Sequence, residues 1–299
     1  MKPSLFLFAC LFLSGFSSFS CINVYRTTLD GNVHSSDAYR GIVYPKSIDA
    51  AKLRLEAQRL EKRWGTDSSY QDLSDYAAAL IYLGELEKSK SIYHFLESQR
   101  PGSYVTASNL GTIYELLGKP DSAHYWIARS MKINPQSHGG SEWIHLKILE
   151  FQLNPDRDST SSILGLDFGK EGIPENIKGI HLIELRDHLT IQLKERGYFV
   201  KPPNWIVGNI YFDYGNVIAQ TLNVEAALES YEEAAKFGFH SPLMEKRENA
   251  LQSLAWRASF KNGWDRALNG ALDEILVVAV GGILFLLFLI WVVKWKLMR

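Results

Sequence analysis

Three residues have the types and the spacing of a metal site. His181, Glu184 and His188 follow one another at steps of three and four, so on a helix they share one face. Imidazole nitrogens and a carboxylate oxygen are ligands that zinc accepts. Two histidines with one acid make an incomplete set, and solvated or capping side chains explain it more simply. The alternative left open is a metal-dependent or hydrolytic enzyme that uses these residues.

No other sequence motif indicates catalysis. The chain has no phosphate-binding glycine loop, no zinc-peptidase helix motif and no nucleophile elbow. His138 and His145 flank a Gly139-Gly140 pair, which a loop at the start of a helix explains equally well. We therefore predict that the protein is not an enzyme and uses no metal or cofactor.

Composition limits the function classes further. The 299 residues are 46% hydrophobic, enough for a substantial apolar core, and carry a formal net charge of −1. Nucleic-acid binding needs a clustered basic face, which this balance does not indicate. We therefore expect the protein to act through shape-complementary surfaces rather than through a charged face.

Two segments, 70–103 and 104–137, superimpose at an offset of 34 residues. Gly84 and Gly118 stand where a helical hairpin must bend, because glycine takes positive φ without strain. A proline ends each unit, since proline cannot continue a helix. The slots that agree in phase are Leu73/Ala107, Tyr76/Leu110, Ala77/Gly111, Leu80/Tyr114, Leu83/Leu117, Gly84/Gly118, Ser89/Ala123, Tyr93/Ile127, Leu96/Ser130 and Pro101/Pro135.

This period and these slots resemble the tetratricopeptide repeat (TPR) family. The resemblance implies an all-α solenoid of stacked helical hairpins, in which the first helix of each hairpin lines a groove for other polypeptides. Asn109 matches a slot where the family often hydrogen-bonds a ligand backbone. Gln71 and Ser74 replace the basic residues of chaperone-binding members, so a chaperone tail is not the expected ligand. The resemblance places the following residues in the groove: Ser74, Ala78, Ile81, Tyr82, Val105, Ser108, Asn109, Thr112, Leu116, Glu142, Leu149, Phe212 and Asn216.

Outside the two repeats, the distribution of apolar and polar residues divides the chain into further segments. Residues 21–45 are predicted to form a lightly structured polar leader with a turn at Asp30-Gly31, and 46–153 the N-terminal repeat array, whose first helix ends at Gly65. An insert at 154–179 contains an apolar stretch, 163–168, which could itself occupy the groove.

Repeat-like helices and a closing cap are predicted over 180–262. Helical pattern there runs over 180–196 and is expected to end at Gly197. Asn262-Gly263 and Asn269-Gly270 are expected to interrupt the helix. A predicted juxtamembrane segment, 263–274, begins at Gly263 and precedes the membrane span described next.

Both ends of the chain are hydrophobic. Residues 1–20 have the short apolar run of a signal peptide, and 275–293 is an uncharged stretch of 19 residues, long enough at about 1.5 Å per residue to cross a bilayer as a helix. Lys294, Lys296 and Arg299 follow it, so the tail 294–299 is predicted to be cytoplasmic. Lipidation of Cys21, at the predicted cleavage point, stays open.

These features predict a single-pass protein of the bacterial cytoplasmic membrane with a periplasmic N-terminal domain. Its predicted function is a membrane-tethered scaffold that binds proteins or peptides of the cell envelope through a TPR groove. A purely structural membrane component is a further alternative.

Overall fold

The computed structural model describes residues 23–37, 43–44, 46–154 and 162–297, and over these residues the protein is mostly α-helical, as predicted. A short 3-10 turn, Ser137–Gly140, precedes α6, and two strands, β1 (Asn23–Thr27) and β2 (Val33–Asp37), form an antiparallel hairpin. The helices are α1 (Ala50–Asp67), α2 (Tyr70–Tyr82), α3 (Leu86–Gln99), α4 (Tyr104–Leu116), α5 (Pro120–Ile133), α6 (Glu142–Leu153), α7 (Leu182–Phe199), α8 (Trp205–Thr221), α9 (Val224–Lys236) and α10 (Pro242–Leu297).

The hairpins α2/α3 and α4/α5 begin and bend in the same way. The Ser69 and Ser103 hydroxyls cap α2 and α4, each by accepting a hydrogen bond from a backbone N–H three residues later. Gly84 and Gly118 follow the first helices with φ of +78° and +68°, so the predicted bends are confirmed. α3 ends at Gln99 and α5 at Ile133, just before Pro101 and Pro135, as predicted.

Small residues allow the two helices of a hairpin to approach closely. A Cβ built on Gly111 would lie 2.6 Å from Ile127 Cγ1, far inside van der Waals contact. On Gly215 of α8 it would lie 2.5 Å from Tyr231 Cδ1 of α9. A glycine of the first helix therefore allows close packing in both hairpins, α4/α5 and α8/α9.

The leader has more structure than its polar composition predicted. β1 and β2 pair from Asn23↔Asp37 to Thr27↔Val33, and Gly31 makes the predicted turn with φ of +82°. The Thr27 backbone N–H donates to both carboxylate oxygens of Glu225, at 2.8 and 3.0 Å. The hairpin is thus attached to α9 partly through hydrogen bonds, which leave little trace in a hydropathy pattern.

Three predicted helix ends are wrong. α1 continues past Gly65 to Asp67 and ends at Ser68, which takes the left-handed conformation with φ of +47°. α7 continues past Gly197 to Phe199. α10 runs unbroken through 262–263 and 269–270, because an interior glycine costs a helix only about 1 kcal/mol and no proline follows Pro242.

The predicted membrane span lies within α10. The backbone of 275–293 is helical, although only some of its side chains are among the described residues. Across the described part of the chain, no helix combines the length and the apolar character needed to cross a bilayer. The span, like the signal peptide 1–20 and Cys21, which lie outside the described residues, stays a prediction.

The described part of the insert, 162–179, contributes to the core of the C-terminal half. Ile163, Leu164 and Phe168 are buried in one cluster with residues of α6 to α10. The buried Arg247 guanidinium of α10 holds this segment, because its Nη2 donates to the Phe168 and Gly169 carbonyls at 2.9 and 2.6 Å. The stretch 163–168 forms a turn followed by coil.

Candidate functional site

A cavity of about 400 Å³ lies between α7 and the helices α2, α4 and α6. Its apolar wall comes from α2, from the end of α4 and from the end of α7, and its polar wall comes from α4, α6 and α7. Ligand sites commonly have volumes of about 300–1,000 Å³ and combine an apolar lining with a few convergent polar groups. The cavity is therefore the candidate binding site, and we refer to it below as the cavity.

Eight of the thirteen residues predicted for the groove line this cavity. They are Ala78, Ile81 and Tyr82 of α2, Ser108, Asn109, Thr112 and Leu116 of α4, and Glu142 of α6. Ten further residues complete the lining: Glu115, His138, His145, Gln152, Gln192, Glu195, Arg196, Phe199, Val200 and Asn204.

The other five predicted residues lie elsewhere. Ser74 and Leu149 are buried beneath the inner face, and Val105 is exposed outside the cavity. Phe212 and Asn216 are buried on α8, where Arg247 stacks on the Phe212 ring and donates to Asn216 Oδ1 at 2.7 Å. The four buried residues do not line the cavity, because the repeat slots fix a helical face but not the elements that later cover it.

The stretch 163–168, considered above as one possible occupant of the groove, lies outside the cavity. The stretch 163–168 packs on α8, with the Ile163 N–H donating to Asn209 Oδ1 at 3.0 Å, and does not line the cavity. The element that crosses the inner face is α7 instead. Its Phe199 ring stacks on Tyr82 at 4.9 Å, and Tyr198 meets the same ring edge-on at 5.6 Å.

Buried charges connect α4, α6 and α7 at the polar wall. Arg196 Nη1 donates to Glu115 Oε1 at 2.9 Å, and His145 Nε2 lies 2.7 Å from Glu115 Oε2. Burial alone would raise the pKa of Glu115, but the charges of Arg196 and His145 hold it well below its usual range. Burial lowers the pKa of His145, and attraction to Glu115 outweighs this, so that the pKa of His145 is raised.

Glu142 extends this group of buried charges. We refer to Glu115, Glu142, His138, His145 and Arg196 together as the charge network. His138 Nδ1 lies 2.7 Å from Glu142 Oε1. Burial would raise the pKa of Glu142, but its pairing with His138 and the nearby His145 lower that pKa to about 2. The bond to Glu142 raises the pKa of His138 in turn. Both glutamates are therefore ionised at neutral pH.

Two fully buried atoms of the charge network lack a hydrogen-bond partner among the described residues. They are Glu142 Oε2, 3.6 Å from His145 Nδ1 and thus beyond hydrogen-bonding distance, and Arg196 Nε. The Glu142 side chain is only 2% exposed and that of Arg196 only 9%. A buried polar atom without a partner is costly. The cavity wall thus retains one acceptor and one donor that the described residues leave unused.

Asn109 is held in one orientation. The Tyr93 hydroxyl donates to the Ser74 carbonyl at 2.9 Å and accepts from Asn109 Nδ2 at 2.6 Å. One N–H of the amide nitrogen is thereby used, and Oδ1 has no partner in the described part of the chain. Asn109 therefore presents a fixed acceptor at the cavity.

His181, Glu184 and His188, the metal site left open as an alternative, do not form a metal-binding group in the described structure. The Trp143 indole, which can only donate, donates to His188 Nδ1 at 3.1 Å, so His188 Nε2 carries the proton and donates to the Gly139 carbonyl at 2.9 Å. Neither ring nitrogen then has a lone pair free for a metal. His181 is exposed, and the described residues hold no group of three metal-ligating side chains.

The sequence contains a partial indication of the charged cavity residues that the sequence analysis missed. Ser108, Thr112 and Glu115 recur at steps of four and three on a largely apolar helix, which puts them on one face. Gln192 and Arg196 are likewise four apart on α7. Nothing in the sequence showed that these two faces meet.

Comparison of the sequence with models of known protein families gives no match, and comparison with curated proteins gives none either. The geometry of the cavity therefore carries the functional argument.

Proposed function

We propose that the protein is a membrane-tethered adaptor that binds a short segment of a partner polypeptide in the cavity. The supporting observation is the convergence of eight predicted groove residues with the charge network around about 400 Å³ of space. The apolar wall suits aliphatic or aromatic side chains. The unpaired polar atoms of Asn109, Glu142 and Arg196 suit a ligand that offers both N–H donors and carbonyl acceptors, as a peptide chain does.

We further infer that the helical hairpins are TPR units. The support is the repetition of caps and bends at an offset of 34 residues: Ser69 with Ser103, and Gly84 with Gly118. Stacked hairpins bury their apolar faces against their neighbours and leave an inner face available for binding. α7 then limits that inner face to the cavity.

The proposed location is the periplasmic side of a bacterial cytoplasmic membrane. The support is the sequence of 1–20 and 275–293 together with the basic residues after the second segment. Anchoring raises the local concentration of the domain at the membrane, so modest affinity in the cavity is sufficient. The alternative based on enzymatic use of His181, Glu184 and His188 is not supported, since His188 has no free ring nitrogen.

A pull-down from solubilised membranes with the full chain tests this function. Tyr82→Ala removes part of the apolar wall, Asn109→Ala removes the oriented acceptor, and Tyr125→Ala is the control, because Tyr125 is 58% exposed and outside the cavity. We expect the first two variants to lose the partners that the wild type and the control retain, with circular dichroism unchanged. Recovery of the same partners in undiminished amount by both cavity variants would show that the function is wrong.

A further inference from the structure

The cavity has a charge imbalance that points to the chemistry of its ligand. Glu115, Glu142 and Glu195 contribute three carboxylates, whereas Arg196 contributes the one permanent positive charge among the lining residues. His138 and His145 add positive charge only when protonated. The lining therefore carries an excess of two negative charges when both histidines are neutral and no excess when both are protonated, so the unsatisfied carboxylate oxygens are the better guide to the ligand.

The negative charges differ in how far the protein already satisfies them. Glu115 is well satisfied, because Arg196 and His145 bond to it and Gln152 Nε2 donates to it at 3.4 Å. Glu142 has one bonded oxygen and one buried oxygen without a partner. Glu195 lies on α7 beside Arg196, is exposed, and makes no ion pair with another described residue.

Carboxylates are prominent among the groups that the described residues leave unsatisfied at the cavity. Glu142 Oε2, the Glu195 carboxylate and Asn109 Oδ1 can each accept from an N–H donor, and the buried Arg196 Nε can donate to an acceptor. No lysine lines the cavity. A ligand that complements this set carries positive charge on nitrogen and has a carbonyl oxygen nearby.

We propose that the polypeptide bound in the cavity inserts one basic side chain, lysine or arginine, between Glu142 and Glu195. This inference rests on the proposed function and deepens it by naming the chemistry of the ligand. The aliphatic part of such a side chain packs on the apolar wall at Ile81 and Leu116, and its charged end approaches the carboxylates. The carbonyl groups of the same polypeptide supply the acceptor for Arg196 Nε.

The test uses a random peptide library displayed on phage and selected on the full chain in lipid nanodiscs. We expect the selected peptides to share a lysine or arginine at one fixed position. A synthetic peptide with methionine at that position should bind the wild type at least tenfold more weakly, which corresponds to about 1.4 kcal/mol.

Charge variants of the protein show whether the basic residue acts through the proposed carboxylates. Glu195→Gln is the principal variant, since Glu195 makes no structural bond in the described residues, and Glu142→Gln is the second. In Glu195→Gln the lysine and methionine peptides should differ by less than threefold. Glu184→Gln is the matched control, because Glu184 lies on the same helix, is 63% exposed and does not line the cavity; it should behave as the wild type does.

The outcomes separate the two proposals. Selected peptides that bind through Tyr82 and Asn109 but share no basic residue would overturn the ligand chemistry and leave the adaptor function standing. Equal binding of the lysine and methionine peptides to the wild type would do the same. Failure of any selected peptide to depend on Tyr82 or Asn109 would overturn both.

Discussion

Arg196 of α7 and Glu115 of α4 lie 81 positions apart in the chain and form a buried ion pair, with Arg196 Nη1 2.9 Å from Glu115 Oε1. A second bond, from Nη2 to Oε2, is longer, at 3.5 Å. This pair fixes α7 across the inner face of the N-terminal hairpins. The shape of the cavity therefore depends on a contact between two halves of the sequence.

We expect Arg196→Met to lower the free energy of unfolding by about 3 kcal/mol, because it leaves Glu115 buried with reduced compensation. The double variant Glu115→Gln/Arg196→Met should lose less than the sum of the two single losses. Urea unfolding followed by circular dichroism measures the cycle. Arg186→Met is the control, since Arg186 pairs at 3.3 Å with an exposed Asp187 and should cost less than about 1 kcal/mol. Strict additivity of the single losses would contradict the coupling.

Because of the charge network, the free energy of unfolding should be highest at mildly acidic pH and should fall at both lower and higher pH. The pKa of Glu142 is lowered from 4.5 to about 2, so its contribution is present above 4.5 and is lost as pH falls toward 2. The pKa values of His138 and His145 are raised from 6.5, so their contribution is full below 6.5 and is lost as pH rises through the raised values.

His138→Gln isolates the alkaline side of this profile. The wild type should be more stable than the variant at pH 5 to 6, and the difference should shrink above pH 7 as the histidine loses its proton. Thermal unfolding midpoints between pH 4 and 9 measure it. His181→Gln is the control because His181 is largely exposed. A difference that grows with pH would have the wrong sign for the proposed pairing with Glu142.

Asp213 should change the pH dependence of stability in the opposite sense to Glu142. It is buried, accepts a hydrogen bond from the Ser162 hydroxyl at 2.5 Å, and burial raises its pKa from 3.8 to about 7. Stability is then full below pH 3.8 and decreases as pH rises through 7, because folding holds a proton that the unfolded chain releases. Asp213→Asn should raise the unfolding midpoint at pH 8 and change it little at pH 4, whereas Asp187→Asn on the surface should change neither. An unchanged midpoint at pH 8 would refute this.

Gly111 and Gly65 should respond oppositely to alanine. At Gly111 the new Cβ would meet the Ile127 side chain and lie 3.3 Å from its backbone nitrogen, so Gly111→Ala should destabilise the protein by about 2 kcal/mol. At Gly65, inside α1, nothing lies within 4 Å of the new Cβ, and alanine should stabilise by about 0.5–1 kcal/mol. Equilibrium unfolding of both variants checks the pair, and similar effects at the two sites would contradict the close packing of α4 on α5.

The local features of the fold were predictable from the sequence. Gly84, Gly118, Pro101 and Pro135 act on the few residues around them, so their spacing gave the hairpin bends and ends correctly. The face of α2 and α4 that lines the cavity is the face that the TPR resemblance assigned to the groove. The ends of α1 and α7 did not, since Gly65 and Gly197 cost little inside a helix that is held by tertiary packing.

The long-range features were not predictable from one sequence. A polar residue such as Arg196 does not indicate its partner, and Glu115 could have faced solvent equally well. Phe212 and Asn216 had the correct repeat slots, yet Arg247 of α10 and the insert cover α8. His188 had metal-ligand spacing, and only the position of Trp143 shows that its nitrogens are used. In each case the deciding contact joins segments whose approach no local pattern encodes.

The central claim is that a partner polypeptide enters the cavity, and site-specific photocrosslinking of the full chain in native membranes tests it most directly. A photoreactive phenylalanine analogue placed at Thr112 lies in the cavity, whereas the same analogue at Tyr125 lies outside it. We predict a discrete crosslinked protein from position 112 that is absent from position 125 and is lost when Tyr82→Ala is added. No crosslink from position 112, or the same crosslink from both positions, would contradict the account.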